Sequence, residues 1–234
     1  MIFEGVCSRL IPLLPIIHFI LVSSGILLTY LISTALEHTP LFLPWISATG
    51  NEPPERFVFS MVISLSSATF GLIVWHKHKH FATFRDSYLY VKAVDRYEAF
   101  LTFTGLLSSA SLFVTANIQE KYAYVPHAVA ALTTFFAACS YFTGQTILAY
   151  TRLGKWHWAS THGRLGLTVL SNLSLALCVT LAAISFLSGL EEFYVAAACA
   201  EWILILVFLL LILTFRVELD ELVTSKFAIV GVMV

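Results

Sequence analysis

Apolar runs punctuated by short polar breaks set the frame of this chain. Six stretches, about residues 10–36, 57–76, 98–118, 123–151, 164–189 and 193–215, are almost continuously apolar. Each is long enough for the roughly 20 residues a helix needs to cross a bilayer. Hydrocarbon offers no partner to a free backbone N–H or C=O, so the crossing segments must be helices. The pattern predicts an all-α membrane protein: a single six-helix transmembrane bundle, one domain over residues 1–234. Residues 37–56 break the pattern differently from the other connections. Pro40, Pro44, Pro53 and Pro54 fall within Pro40–Glu55 together with a Thr49-Gly50-Asn51 step, which forbids a continuous helix. A structured loop is expected there, stiffened by fixed proline φ angles, with Phe42 and Trp45 folded back onto the headgroup region. Residues 216–234 read as a short tail.

Composition supports hydrocarbon as the main solvent. The chain is 59% hydrophobic and only 12% charged, where a soluble domain carries about 25% charged residues. A net charge of −1 gives no basic face for nucleic acid. The cations are distributed unevenly. With the N-terminus cytosolic, the loops facing away from the cytosol hold only Arg56 and Lys121 of the 13 Lys and Arg residues, so the positive-inside rule places both termini in the cytosol and the Pro-rich loop in the lumen. Three of the four cysteines sit in apolar runs, so neither a disulfide framework nor a cysteine metal site is expected. Cys7, just before the first span, is a candidate for palmitoylation. The second run is rich in serine and the fifth carries Gly163, Gly166 and Ser171; small residues let helices approach closely in lipid, which makes these two runs the expected bundle interior.

Ionisable groups inside a bilayer are costly and few. Glu201 lies eight residues into the sixth run, about 12 Å deep at 1.5 Å per residue. His127 begins the fourth run and Asn117 ends the third, so the three residues fall at one depth in the luminal leaflet. Asn117, His127 and Glu201 are the candidate ligand- or lipid-binding residues, with a Glu201–His127 pair as the way each compensates the other's burial. The bland alternative is a protonated Glu201 bonded to a neighbouring hydroxyl. At the other face, His76-Lys77-His78-Lys79-His80 lacks the third or fourth ligand a zinc ion needs, so no metal site is expected. Lys77 and Lys79 there are the candidate contacts to anionic lipid. No Gly-x-Ser-x-Gly, His-Glu-x-x-His or Walker loop occurs, so nothing asks for a catalytic residue or a cofactor. One firm intramembrane charge is also too few for a carrier.

The segment Phe42-Leu-Pro-Trp-Ile-Ser-Ala-Thr-Gly-Asn-Glu-Pro-Pro-Glu55 resembles the first luminal loop of the DRAM (damage-regulated autophagy modulator) family. Ala116-Asn-Ile-Gln-Glu120, His127, Glu201-Trp202 and Leu213-Thr-Phe215 continue the resemblance in order along nearly the whole chain. Within the loop, Pro44, Ser47, Thr49, Gly50, Pro53, Pro54 and Glu55 carry the motif. Ala48 stands where that family has an acid, and Ala128-Val-Ala130 where it has Asp-Gly-Gly. The resemblance implies a non-catalytic, multi-pass regulator of autophagy in lysosomal or endosomal membranes. Its implied partners are membrane lipids, with phosphoinositides one candidate on the cytosolic side, and membrane or cytosolic proteins. Two rivals stay open. One is a lipid-remodelling enzyme or subunit of the GPI-anchor type, in Golgi or ER membranes, using His127 and Glu201 as acid and base. The other is a channel modulator of the plasma membrane.

Overall fold

The structure, a computed structural model, describes residues 10–89, 91–152 and 158–232; Cys7 lies outside them. Seven α-helices follow one another among the described residues. A short 3-10 turn, Ile11–Leu13, leads into α1 (Leu14–Ala35). Pro12 and Pro15 sit in these first turns, where a missing N–H leaves no intrahelical bond unmade. Then come α2 (Glu55–Thr83), α3 (Val91–Asn117), α4 (Tyr124–Thr151), α5 (Trp158–Ser188), α6 (Glu191–Thr214) and α7 (Arg216–Val232). Six segments are long and apolar enough to span a membrane, and the last of them runs from α6 into α7. The chain is a multi-pass membrane protein with an all-helical bundle.

Packing in lipid depends on shape, because hydrocarbon solvates leucine as well as a helix face does. The centre is an aromatic cluster in which Phe142 meets Phe208 and Phe215 at 5.3 and 5.9 Å between ring centroids, and Phe70 meets Tyr141 edge-on at 6.0 Å. Gly144 lets α4 settle onto α3: a Cβ there would stand 2.1 Å from Leu101 Cδ2. The expectation of an interior α5 holds only for the face that carries Ser171 and Ser174, which is buried, and is otherwise corrected. Only 28% of its membrane segment is buried, against 56% for the α6 segment, and Gly163 and Gly166 face open space. Their small size was read as close helix approach, yet no neighbour comes near either Cα. The serine-rich α2 does pack inward, with Ser67 Oγ donating to Ser109 O and Ser109 Oγ donating back to Ser67 O, which clips α2 to α3.

The segment after α6, read from the sequence as a short tail, continues as helix α7 and docks on the bundle. Glu218 and Glu221 are three residues apart on α7, as Lys77 and His80 are on α2, so each pair shares one helix face. Lys77 Nζ lies 2.9 Å from Glu218 Oε2, and Arg164 grips both Glu218 oxygens at 3.0 Å. Arg152 Nη1 donates to Glu221 Oε2 at 2.7 Å, and His80 Nε2 lies 3.1 Å from the same oxygen. Phe215 stacks under both Lys77 and Arg164, with 4.8 and 5.0 Å from the cations to its ring centre. Lys77 is therefore buried in an ion pair, not spread on the membrane surface as expected; Lys79 remains half-buried over the Trp75 ring. Tyr88, on the connection beyond α2, is buried near these groups, and burial pushes its phenol above its usual range.

Removing one partner of a buried pair strands the others. Glu218→Ala leaves Lys77 and Arg164 facing each other without their shared counter-ion, and is expected to destabilise the fold by about 3–5 kcal/mol. Unfolding in mixed micelles by increasing denaturing detergent measures this; a variant as stable as the parent would show that α7 docks through its apolar face alone.

Candidate functional site

The loop after α1 is not a tether but a plug. His38 Nδ1 lies 2.6 Å from Glu55 Oε1, which places a buried carboxylate at the N-terminus of α2, where the helix dipole favours it. The chain then turns inward. Pro44 and Ile46 are buried, and residues Ser47–Gly50 form a 3-10 turn whose Thr49 hydroxyl meets that of Thr29 at 3.1 Å. Gly50 lies against Phe59 of α2, where a Cβ would stand 2.4 Å from Phe59 Cγ. On its outer edge the loop is tied to the α3–α4 turn by the Glu52–Lys121 pair and by Tyr122 Oη donating to Glu52 Oε2 at 3.1 Å. The Lys121 ammonium holds the Glu52 carboxyl below its usual range. Pro53 and Pro54 stand exposed at the rim.

Three bonds from the bundle hold the inward turn. Glu201 Oε2 accepts the Ile46 backbone N–H at 2.8 Å. The adjacent Trp202 donates its indole N–H to Pro44 O at 2.8 Å, and Ser47 Oγ donates to Glu120 Oε2 at 2.9 Å. Trp45 packs edge-on against Tyr194 of α6 at 5.9 Å; it covers the bundle end, whereas the sequence placed it in the headgroup layer. Phe42 is exposed.

Beneath this plug lies a chamber of about 800 Å³, walled by all six spans. The polar groups at its loop end are Glu201, Glu120, His127, Ser47, Tyr124 and Tyr194; deeper in, His18 also lines it, with Nδ1 2.8 Å from Thr69 Oγ1. Phe59 walls it next to the loop, and deeper Ile63, Phe70, Phe135, Phe142 and Phe208 supply the wall. The hydroxyls that border this deeper part are committed to backbone carbonyls: Ser66 to Val62 O, Ser108 to Thr134 O, Thr134 to Ala130 O and Thr115 to Ser111 O. The chamber also reaches the outer surface between α4 and α5, because Leu132 and Phe186 border it while being 42% and 81% exposed.

The predicted triad separates. His127 and Glu201 share the chamber, but no hydrogen bond or ion pair joins them among the described residues. Glu201 is turned to Ile46 and His127 Nδ1 to Ile118 O at 2.5 Å. A carbonyl only accepts, so Nδ1 carries the proton, and when the ring is neutral Nε2 is an acceptor. Asn117 is excluded from the chamber; it is exposed and donates to Ser64 Oγ and Phe113 O at 2.9 and 2.8 Å. Asn117 and Glu201 matched in depth, but α3 turns Asn117 toward α2. Glu120 and Tyr194 were missed as chamber residues and Trp202 as a loop anchor. Trp202 had a signal in its place beside Glu201 and Glu120 had one in the Ala116–Glu120 motif, but the contact of Glu120 to Ser47 spans 73 residues and was not marked.

The comparisons agree on a family. The profile described as the Frag1/DRAM/Sfk1/Cwh43P N-terminal domain matches residues 11–222, and the chain belongs to that family. It is 28% identical to DNA damage-regulated autophagy modulator protein 1 of Xenopus laevis, over 89% of this chain and 90% of the relative. It is 25% identical to the human protein of that name, over 82% and 84%. A third relative is the modulator of macroautophagy TMEM150B-B of Xenopus laevis, 26% identical over 88% of this chain and 84% of its own length. No solved structure matches the chain.

Trp202→Phe keeps an aromatic side chain, trims the five-membered ring and removes the bond to Pro44 O. A loss of about 0.5–1.5 kcal/mol is expected, concentrated in the loop and read as faster hydrogen exchange over residues 40–50 with little change in the spans. Gly50→Ala is expected to cost about 1–3 kcal/mol by overpacking against Phe59. If neither variant alters exchange in the loop, these contacts do not hold the plug.

Proposed function

We propose that this member of the family is a non-catalytic membrane regulator of autophagy, placed in lysosomal or endosomal membranes, whose loop and chamber form one binding unit. The observation that carries the reading is the clamp of Glu201 and Trp202, consecutive residues of α6, on Ile46 and Pro44 of the loop. A group entering the chamber beside Glu201 competes for the carboxylate that holds the loop, so occupancy inside the bundle alters the surface that the loop presents outside. Proteins or lipids that meet the loop surface then read that change. The names of the relatives support the autophagy assignment. The non-catalytic reading is supported by what the two acid–base candidates do: Glu201 and His127 each bond a backbone group, and neither orients a nucleophile. The uneven cations support cytosolic termini, with Arg56 and Lys121 alone on the loop side. Lys79 on the opposite side is the remaining candidate for contact with anionic lipid there.

The test compares cells lacking the protein with cells given it back. Autophagic flux, read as degradation of long-lived protein with and without inhibition of lysosomal acidification, is expected to differ between them. Glu201→Ala, checked for normal abundance and for lysosomal or endosomal location by microscopy, is expected to lose most of that difference. Unchanged flux on removing the protein, or a wild-type chain confined to the plasma membrane, would sink the proposal.

A further inference from the structure

The chamber narrows the kind of molecule that occupies it. Protein interiors are packed like organic crystals, and a void of about 800 Å³ gives up dispersion contacts along its whole wall. Water does not fill such a space where the lining is apolar and the few hydroxyls are already bonded to backbone. The size falls within the roughly 300–1,000 Å³ of small-molecule sites. The side opening between α4 and α5 faces the hydrocarbon layer, so the entering molecule arrives from the membrane with its chain in the apolar part.

The head group is selected at the loop end. Glu201 and Glu120 are held by consecutive loop residues, Ile46 and Ser47, which brings two carboxylates to the same end of the chamber. His127 adds an acceptor at Nε2. Among the described residues no lysine or arginine lines the chamber; Lys121, on the turn beside Glu120, is tied to Glu52 on the outer edge of the loop. A carboxyl group buried without a cationic partner is costly in its charged form; an ammonium head offsets that cost and donates to both groups, whereas an anionic head finds no lysine or arginine in the lining to meet it. From this charge complementarity we infer that the chamber binds a single-chain amphiphile with an ammonium head, its N–H groups directed to Glu201 and Glu120 and its hydrocarbon chain laid along Phe59, Phe135 and Phe208. The inference deepens the preceding reading by naming the ligand class, and it is tested by binding alone, so it stands or falls independently of any effect on autophagy.

The experiment uses the full chain, purified and reconstituted in lipid nanodiscs. The probe is a photoactivatable long-chain primary amine bearing an alkyne. Matched probes carry a hydroxyl, a carboxylate or a phosphate on the same chain. Labelling by the amine is expected to exceed that by each other probe, to map to α4, α5 or α6, and to be displaced by unlabelled amine. Glu201→Gln retains a carbonyl oxygen for the Ile46 N–H, so the loop stays anchored while the charge is lost. With Glu120→Gln added, labelling is expected to fall by at least about tenfold. Ala131→Trp, which places a large ring in the chamber one helical turn from His127 and replaces neither carboxyl group, is expected to abolish labelling while thermal stability in the nanodisc is kept or raised. Equal labelling by the hydroxyl or anionic probes, or amine labelling that survives the double Gln variant, would overturn the inference. So would amine labelling that survives Ala131→Trp.

Discussion

One hydrogen bond decides what the loop side of this protein looks like: Glu201, part-way down a membrane-spanning helix, accepts the backbone N–H of Ile46. A carboxyl group at that depth needs a partner, and a loop N–H turned into the bundle needs an acceptor. Each resolves the other's burial, and the geometry of the loop follows. Pro44 is held by the neighbouring Trp202, Ser47 reaches Glu120, and Thr49 and Gly50 are pressed against α1 and α2. The prolines reduce the entropy lost in ordering this turn, since their φ angles are fixed in the unfolded chain as well. The loop thus behaves as a seventh wall of the bundle rather than as a connection over its surface.

The opposite end obeys the same rule with more charge. Three cations, Lys77, Arg152 and Arg164, converge there on two acids of α7. Apolar packing alone specifies a docking position weakly in lipid, where every greasy face is already solvated. A fork of Arg164 on Glu218, reinforced by Lys77, allows one register of α7 against α2. The two ends are therefore built differently: a backbone-to-carboxylate clamp under the loop, and a side-chain ion network at the far face.

How much of this was legible in the sequence follows from which signals are local. The spans were legible because length and apolarity are properties of consecutive residues. The burial of Glu201 and His127 was legible because an ionisable group in an apolar run stands out by itself. Their partners were not. Ile46 offers a backbone N–H, which no residue pattern marks, and it lies 155 positions from Glu201. The pairing of His127 with Glu201 failed because depth fixes height along the bundle but not which way a helix turns its side chains, and Asn117 fell outside for the same reason. Lys77 was misplaced because a cation at a span end normally reaches for headgroups. Here α7 arrives with two acids at helical spacing, a signal that was present at Glu218 and Glu221 but was masked by reading that segment as a tail.

The segregation of charge bears on how the chamber works. Carboxyl groups without a cationic partner lie at its loop end, ion pairs of Lys77, Arg152 and Arg164 with Glu218 and Glu221 lie at the far face, and the aromatic cluster of Phe142, Phe208 and Phe215 stands between them. The acids at the far face are already committed to Lys77, Arg152 and Arg164, so under the proposed reading an ammonium head finds open acceptors at the loop end. A molecule in the chamber is therefore polarised in one direction, head to the loop and chain to the centre. That orientation places the only groups able to compete for Glu201 next to the bond that holds Ile46. In the proposed reading, occupancy and loop position are coupled through a shared acceptor, which requires no rearrangement of the spans: the six helices need only hold Glu201 still.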